Sequence, residues 1–138
     1  MAELFADTSG FANLADPTQP FHTLAVRFYR TGRNRNQRIV TTNYVIAELV
    51  VLLTSPLRHT RVSVIAAVDR VKTSPHVEIV HVDPALDNET WQLLKSRTDK
   101  DWSLVDCASF VVMKQRSITE ALMTDHHFEQ AGFVRLLK

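Results

Sequence analysis

Asp7, Glu48, Asp106 and Asp125 are the residues of this chain whose types and surroundings offer chemistry. Asp7 and Asp125 end short apolar runs, Asp106 opens a helical pattern, and Glu48 lies on the apolar stripe of another. Four carboxylates meeting in one cleft would repel, and without a cation some would have to take up protons. An all-oxygen set with no cysteine in it selects a hard ion, Mg²⁺ or Mn²⁺, which keeps several waters and bridges to phosphate. Such an ion polarises a phosphodiester, lowers the pKa of a bound water and steadies the leaving oxygen, so the expected chemistry is metal-dependent hydrolysis of nucleic acid. In that scheme Asp7, Asp106 and Asp125 are direct ligands, and Glu48 holds a second ion or orients the attacking water. Thr8, Ser9 and Thr124 stand beside them, placed to hydrogen-bond the carboxylates or the waters of the metal.

The elements that must position these acids read as alternating strands and helices. Leu4, Phe5 and Ala6 form a buried strand that ends at Asp7, and Thr8, Ser9 and Gly10 are turn and cap formers. Asp7 has a second account as the cap of whatever follows. Pro20 to Thr31 predicts a helix with Leu24, Ala25 and Phe28 on one face, running into an arginine-rich turn around Gly32. There Arg33 and Arg35, with Arg30 and Arg38, can pair with phosphate or with an acidic partner, or form a solvated loop. Ile39 and Val40 open the next strand, and Thr42 caps a helix from Asn43 to about Thr54. Val45, Leu49, Leu52 and Leu53 mark its buried face, which Glu48 shares. A carboxylate on that face is costly unless paired or coordinated.

A further helix is expected from about His59 to Val71, with Val62, Ile65, Ala66 and Val71 inward. Val77 to Val82 predicts a strand buried on most of both faces. Asp83 and Pro84 start another helix as N-cap and N1, with Leu86, Thr90, Leu93 and Leu94 inward, and so explain Asp83 without function. Ser103-Leu104-Val105-Asp106 fits a capping box, which orients Asp106 while leaving an oxygen for a metal. Asp101, just before the cap, is the reserve ligand. Glu120 to Met123 is a short strand delivering Asp125, and a short helix from His126 to Gln130 follows, ended by Gly132. His126 and His127 invite a zinc reading, but no H-x-E, HExxH or cysteine partner accompanies them; they read as surface residues.

The chain's 138 residues, 45% of them hydrophobic, suit one domain spanning 1–138 with a single core. A net charge of +1 gives no global argument for a polyanionic partner, so any such argument is local. One cysteine, Cys107, excludes an intrachain disulfide and reads as a small buried hydrophobe. No apolar run is long enough to span a membrane, and the expected location is the cytoplasm.

These stretches together resemble a known family. FADTSG around Asp7, the inward Glu48 in TTNYVIAEL, DWSLVDCASF around Asp106 and ALMTDHHFEQAGF around Asp125 are similar to PIN-domain nucleases, and most similar to VapC-like toxins of type II toxin-antitoxin pairs. The resemblance covers essentially the whole chain. It implies an α/β fold, a PIN-like three-layer α/β/α sandwich with a mostly parallel central sheet. It also implies Mg²⁺ or Mn²⁺ dependence, endoribonuclease activity on RNA, a homodimer and a small antitoxin partner. Asp7, Glu48, Asp106 and Asp125 fall on the family's acidic positions. The competing reading from another class is a PIN-fold module that binds RNA or protein without cutting. A receiver domain would want a second acid beside Asp7, and an aspartyl phosphatase a D-x-D where this chain has Asp7-Thr8-Ser9.

Overall fold

Leu4–Ala6 form β1, wholly buried, and the computed structural model, which describes residues 2–138, sets this strand at the centre of a five-stranded sheet. After it come α1 (Thr8–Ala15), α2 (His22–Asn34), β2 (Ile39–Thr42), α3 (Asn43–Thr54), α4 (Arg61–Thr73) and β3 (Val77–Val80). The second half holds α5 (Pro84–Ser96), α6 (Leu104–Gln115), β4 (Glu120–Leu122), α7 (His127–Gln130) and β5 (Val134–Arg135). The strands lie in the order β3-β2-β1-β4-β5, and every neighbouring pair is parallel, so the α/β class and the parallel sheet are as expected. Helix α1 packs on α2 and on α3, α3 packs on α4, and α5 packs on α6. No described helix is long and apolar enough to cross a membrane.

The topology decides where chemistry sits. From β1 the chain builds β2 and β3 on one side, then crosses over to build β4 and β5 on the other. The direction reverses between β1 and β4, and a parallel sheet opens a crevice at that point beyond the carboxyl ends of its strands. Phe5 pairs with Ala121 and Ala6 with Leu122, so Asp7 and Asp125 leave adjacent strands at the mouth of this crevice. The Thr41 hydroxyl donates to the Ala6 carbonyl at 2.8 Å and holds the exit of β1 from the other side.

Several expectations are corrected. Thr8, Ser9 and Gly10 do not make a turn: they are the first residues of α1. A turn-rich tripeptide is tolerated in a helix here because Gly10 lets α1 lie directly on β4. A Cβ at position 10 would stand 2.0 Å from the Leu122 carbonyl oxygen. Backbone cannot yield as a flexible side chain can, so Gly10→Ala is expected to destabilise the fold by about 3 kcal/mol. Calorimetry should show the melting point falling by about 10 °C, whereas a shift within about 2 °C would mean that α1 slides on the sheet without cost.

Helix α2 runs three residues beyond Thr31, with Gly32 inside it, because the Gln37 N–H bonds the Gly32 carbonyl at 2.7 Å and closes the helix later. Helix α4 faces the core with Val64, Ala67 and Val68, not with Val62, Ile65 and Ala66. The segment carries two apolar stripes; Thr60 caps it by accepting from the Ser63 N–H, and the face so set leaves Val62 77% and Ile65 52% exposed. Strand β3 is half-buried and ends at Val80, since it lies at the sheet edge, and the Val82 N–H turns away to the Asn43 side-chain oxygen at 2.8 Å. The helix starts at Thr42 and Asp83 are as expected, each cap accepting from a backbone N–H three residues on.

Candidate active site

Asp7 occupies the N-cap position of α1, yet its side chain makes no capping hydrogen bond. It is 6% exposed, and Oδ1 is buried with no hydrogen-bond partner among the described residues. A carboxylate that neither caps nor pairs is expensive, and the cost appears in its protonation. The Asp7 carboxyl is raised from 3.8 to about 7, mostly by burial, with the Thr8 N–H pulling it down and the charges of Asp106, Glu48 and Asp125 adding to the rise. The same interaction places the three other acids around Asp7. Asp101 is exposed and lies outside this group.

Glu48 is half-buried on α3, as its stripe position required, and the Thr8 hydroxyl donates to its Oε1 at 2.6 Å. One oxygen is thus tied to the first residue of α1, while Oε2 is outside that bond. Asp106 is 8% exposed at the start of α6, in a complete capping box. The Ser103 N–H donates to its Oδ2 at 3.1 Å, and the Asp106 N–H donates to Ser103 Oγ at 3.0 Å. Trp102, stacked edge-on against Phe110 at 5.0 Å, fixes the residue before the cap.

Asp125 stands where β4 ends, and its Oδ1 accepts from the His127 N–H at 3.0 Å. The preceding Thr124 is tied twice. Its N–H donates to Ser9 Oγ at 2.9 Å, joining the β4 exit to α1, and its carbonyl accepts from Arg135 Nη1 at 2.8 Å on β5. Of Thr8, Ser9 and Thr124, Thr8 thus bonds an acid directly, while Ser9 bonds the Thr124 backbone and the Thr124 hydroxyl takes no part in these bonds. His127 is the residue that sequence reasoning set aside. Its Nδ1 lies 3.0 Å from Asp106 Oδ2 and 3.3 Å from Asp125 Oδ2. The available signal was its position, two residues after an acid at a strand exit.

The donor set fits a hard cation. Asp7, Asp106 and Asp125 each present an oxygen outside their protein hydrogen bonds, and the orphaned Oδ1 of Asp7 is the group that most needs one. Asp125, His126 and His127 also bring one ligand atom each within 4.8 Å of one another. His127 Nδ1 is engaged with carboxylates and His126 is exposed, so this trio does not form a closed nitrogen site.

A parallel sheet with its switch point ringed by acids defines the class, and the PIN domain model matches residues 4–134: the chain belongs to the PIN domain family. Among curated proteins it is similar to the 23S rRNA-specific endonuclease VapC20 of Mycobacterium tuberculosis, in strains CDC 1551 / Oshkosh and ATCC 25618 / H37Rv. The identity is 33% over 133 residues, covering 96% of this chain and 97% of the relative. The crystal structure of M. tuberculosis VapC20, described as a sarcin-ricin loop cleaving toxin, superposes with a TM-score of 0.83 at 29% identity, over 96% of this chain and 97% of that one. FitAcB from Neisseria gonorrhoeae shares the fold, with a TM-score of 0.63 at 19% identity, covering 98% and 96% of the two chains.

Proposed function

We propose that this chain, acting as one domain over 1–138, is a Mg²⁺- or Mn²⁺-dependent endoribonuclease and the toxin of a toxin-antitoxin pair. The observation that carries the proposal is the buried, uncapped Asp7 carboxyl, held near neutral pKa among Asp106, Glu48 and Asp125 at the switch point. Nothing in the folding of α1 requires a carboxylate there. Asp7, Asp106 and Asp125 would hold the ion, which when bound polarises the phosphodiester and acidifies a water. Glu48, steadied by Thr8, orients the attacking water and takes its proton through Oε2. The similarity to VapC20 supports RNA as substrate and makes a 23S rRNA hairpin the first one to try. Such a substrate belongs to the cytoplasm.

The arginine-rich turn reads differently once placed in the fold. Arg35 lies beside Leu4, Gly32 and Gln37 at the amino ends of the strands, the end opposite Asp7 and Asp125. Arg33 sits 5.9 Å from the Tyr29 ring and lines a groove with Phe11, Leu14 and Arg70. That position favours contact with an acidic partner protein, the antitoxin, over contact with the reacting phosphate. The exposed Val51 of α3 and the exposed Val62 and Ile65 of α4 support a homodimer.

The test is cleavage of 23S rRNA by the chain freed of any antitoxin, in Mg²⁺ or Mn²⁺, with new 5′ ends mapped. Discrete cuts are expected, abolished by EDTA and by Asp125→Asn. Cuts that survive both would remove the metal site from the mechanism. Tight RNA binding without cuts would favour a binding module instead.

A further inference from the structure

The three aspartates at the switch point come from separate pieces of chain: the β1 exit, the start of α6 and the β4 exit. Their spacing therefore depends on what braces these pieces against each other. Among the described residues, the polar atoms facing His127 Nδ1 are carboxylate oxygens of Asp106 and Asp125, at 3.0 and 3.3 Å. An ionised carboxylate can only accept, so the tautomer that satisfies these contacts is the one with hydrogen on Nδ1. The backbone of the same residue also donates to Asp125 Oδ1 at 3.0 Å. On Asp106 the bond falls on Oδ2, the oxygen already taken by the Ser103 N–H, and Oδ1 is left outside both bonds.

A brace must itself be fixed, and His127 is. The next residue, Phe128, is fully buried, with its ring 4.8 Å from Phe110 on α6 and 6.2 Å from Phe5 on β1. Two residues further on, Gln130 accepts from the Trp102 indole N–H at 3.0 Å, tying α7 to the segment that enters α6. The ring itself is mostly buried, 19% exposed. Its burial and the anchoring of Phe128 and Gln130 limit how far the ring can turn.

We infer that His127 is a positioning residue for the metal site: its Nδ1–H bonds Asp106 and lies against Asp125, fixes their separation and leaves Oδ1 of Asp106 free to face the ion. The inference rests on the proposed metal-dependent function. Its role is distinct from ligation, because the nitrogen nearest the acids donates a proton and offers no lone pair. Groups that orient metal ligands in this way typically change metal affinity by about 10–100-fold when removed.

The experiment is calorimetric titration of Mn²⁺ into the metal-stripped full chain and into His127→Ala and His127→Asn, with thermal melts in EDTA to show that each is folded. The side-chain nitrogen of Asn stands where His Nδ1 stands and carries hydrogen. His127→Ala is expected to weaken Mn²⁺ binding by about 10–30-fold, and His127→Asn to restore it to within about threefold of the parent. Long-range ¹H–¹⁵N spectra of the metal-free parent should show protonated Nδ1. Equal affinity in parent and His127→Ala would overturn the brace while leaving the metal site standing. An Asn variant as weak as the Ala variant would overturn it in favour of direct ligation by the ring. A parent that binds no Mn²⁺ would remove the metal reading itself, and the brace with it.

Discussion

Asp7→Asn is expected to abolish cleavage while making the metal-free protein more stable. The Asp7 carboxyl has a folded pKa of about 7 against an ordinary 3.8, so between these values the folded chain holds a proton that the unfolded chain has released. Stability therefore falls as pH rises from about 4 to about 7 and stays low above that. At pH 8 the deficit is at most about 4 kcal/mol, at about 1.4 kcal/mol for each pH unit of displacement. Asparagine keeps the shape and the oxygen facing the Thr8 N–H, but has no charge to desolvate or to repel Asp106, Glu48 and Asp125. In EDTA at pH 8 its melting point should exceed the parent's by roughly 5–10 °C, and at pH 4 the two should converge. Cleavage should fall about 1,000-fold or more, since one direct ligand and its charge are lost. Mn²⁺ should stabilise the parent more at pH 8 than at pH 6, where a proton competes for the same oxygen, and should leave the variant unmoved. A variant less stable than the parent at pH 8 would make Asp7 a structural group after all.

The same residue shows what the sequence could and could not reveal. The apolar run Leu4–Ala6 ending in an acid was legible because a three-residue buried strand has a plain signature. Whether Asp7 capped a helix was not, because the answer depends on where its side chain points once α1 lies on β4. Glu48 was legible in a different way: its heptad-like neighbours placed it on a buried face, and a buried acid demands a partner. The partner, Thr8, lies 40 positions away and carries no local mark. Helix α4 and strand β3 were misjudged for one shared reason. Periodicity says which residues are apolar together, but sheet order decides which face finds a neighbour, and β3 finds one only on the β2 side. His127 was lost because two adjacent histidines look like surface residues until α6 is brought against them. The arginine turn was legible as a charge cluster, whereas its place at the far end of the sheet required the topology.

Asp106 carries two duties, cap and ligand, and they separate under substitution. Ser103→Ala removes the hydroxyl that accepts from the Asp106 N–H, but keeps the backbone N–H that donates to Oδ2. It should cost about 1 kcal/mol of stability, the usual value of a lost N-cap. Metal affinity and cleavage should fall by no more than about threefold, because His127 and the Ser103 backbone still orient the carboxylate. Asp106→Asn has the opposite profile. Its amide oxygen still accepts from the Ser103 N–H, so the cap survives, and the loss of one charge beside Asp7 relieves repulsion. Metal-free stability should then stay within about 1 kcal/mol of the parent, while cleavage drops about 100-fold or more as a charged ligand becomes a neutral one. Urea melts in EDTA and cleavage rates at saturating Mn²⁺ measure the two duties separately. A Ser103→Ala chain as inactive as Asp106→Asn would mean that the cap, not the charge, is what the site requires of this residue. The crossed pattern would mean that the two duties are separable: the Ser103 hydroxyl serves the helix start, while the charge of Asp106 serves the cation.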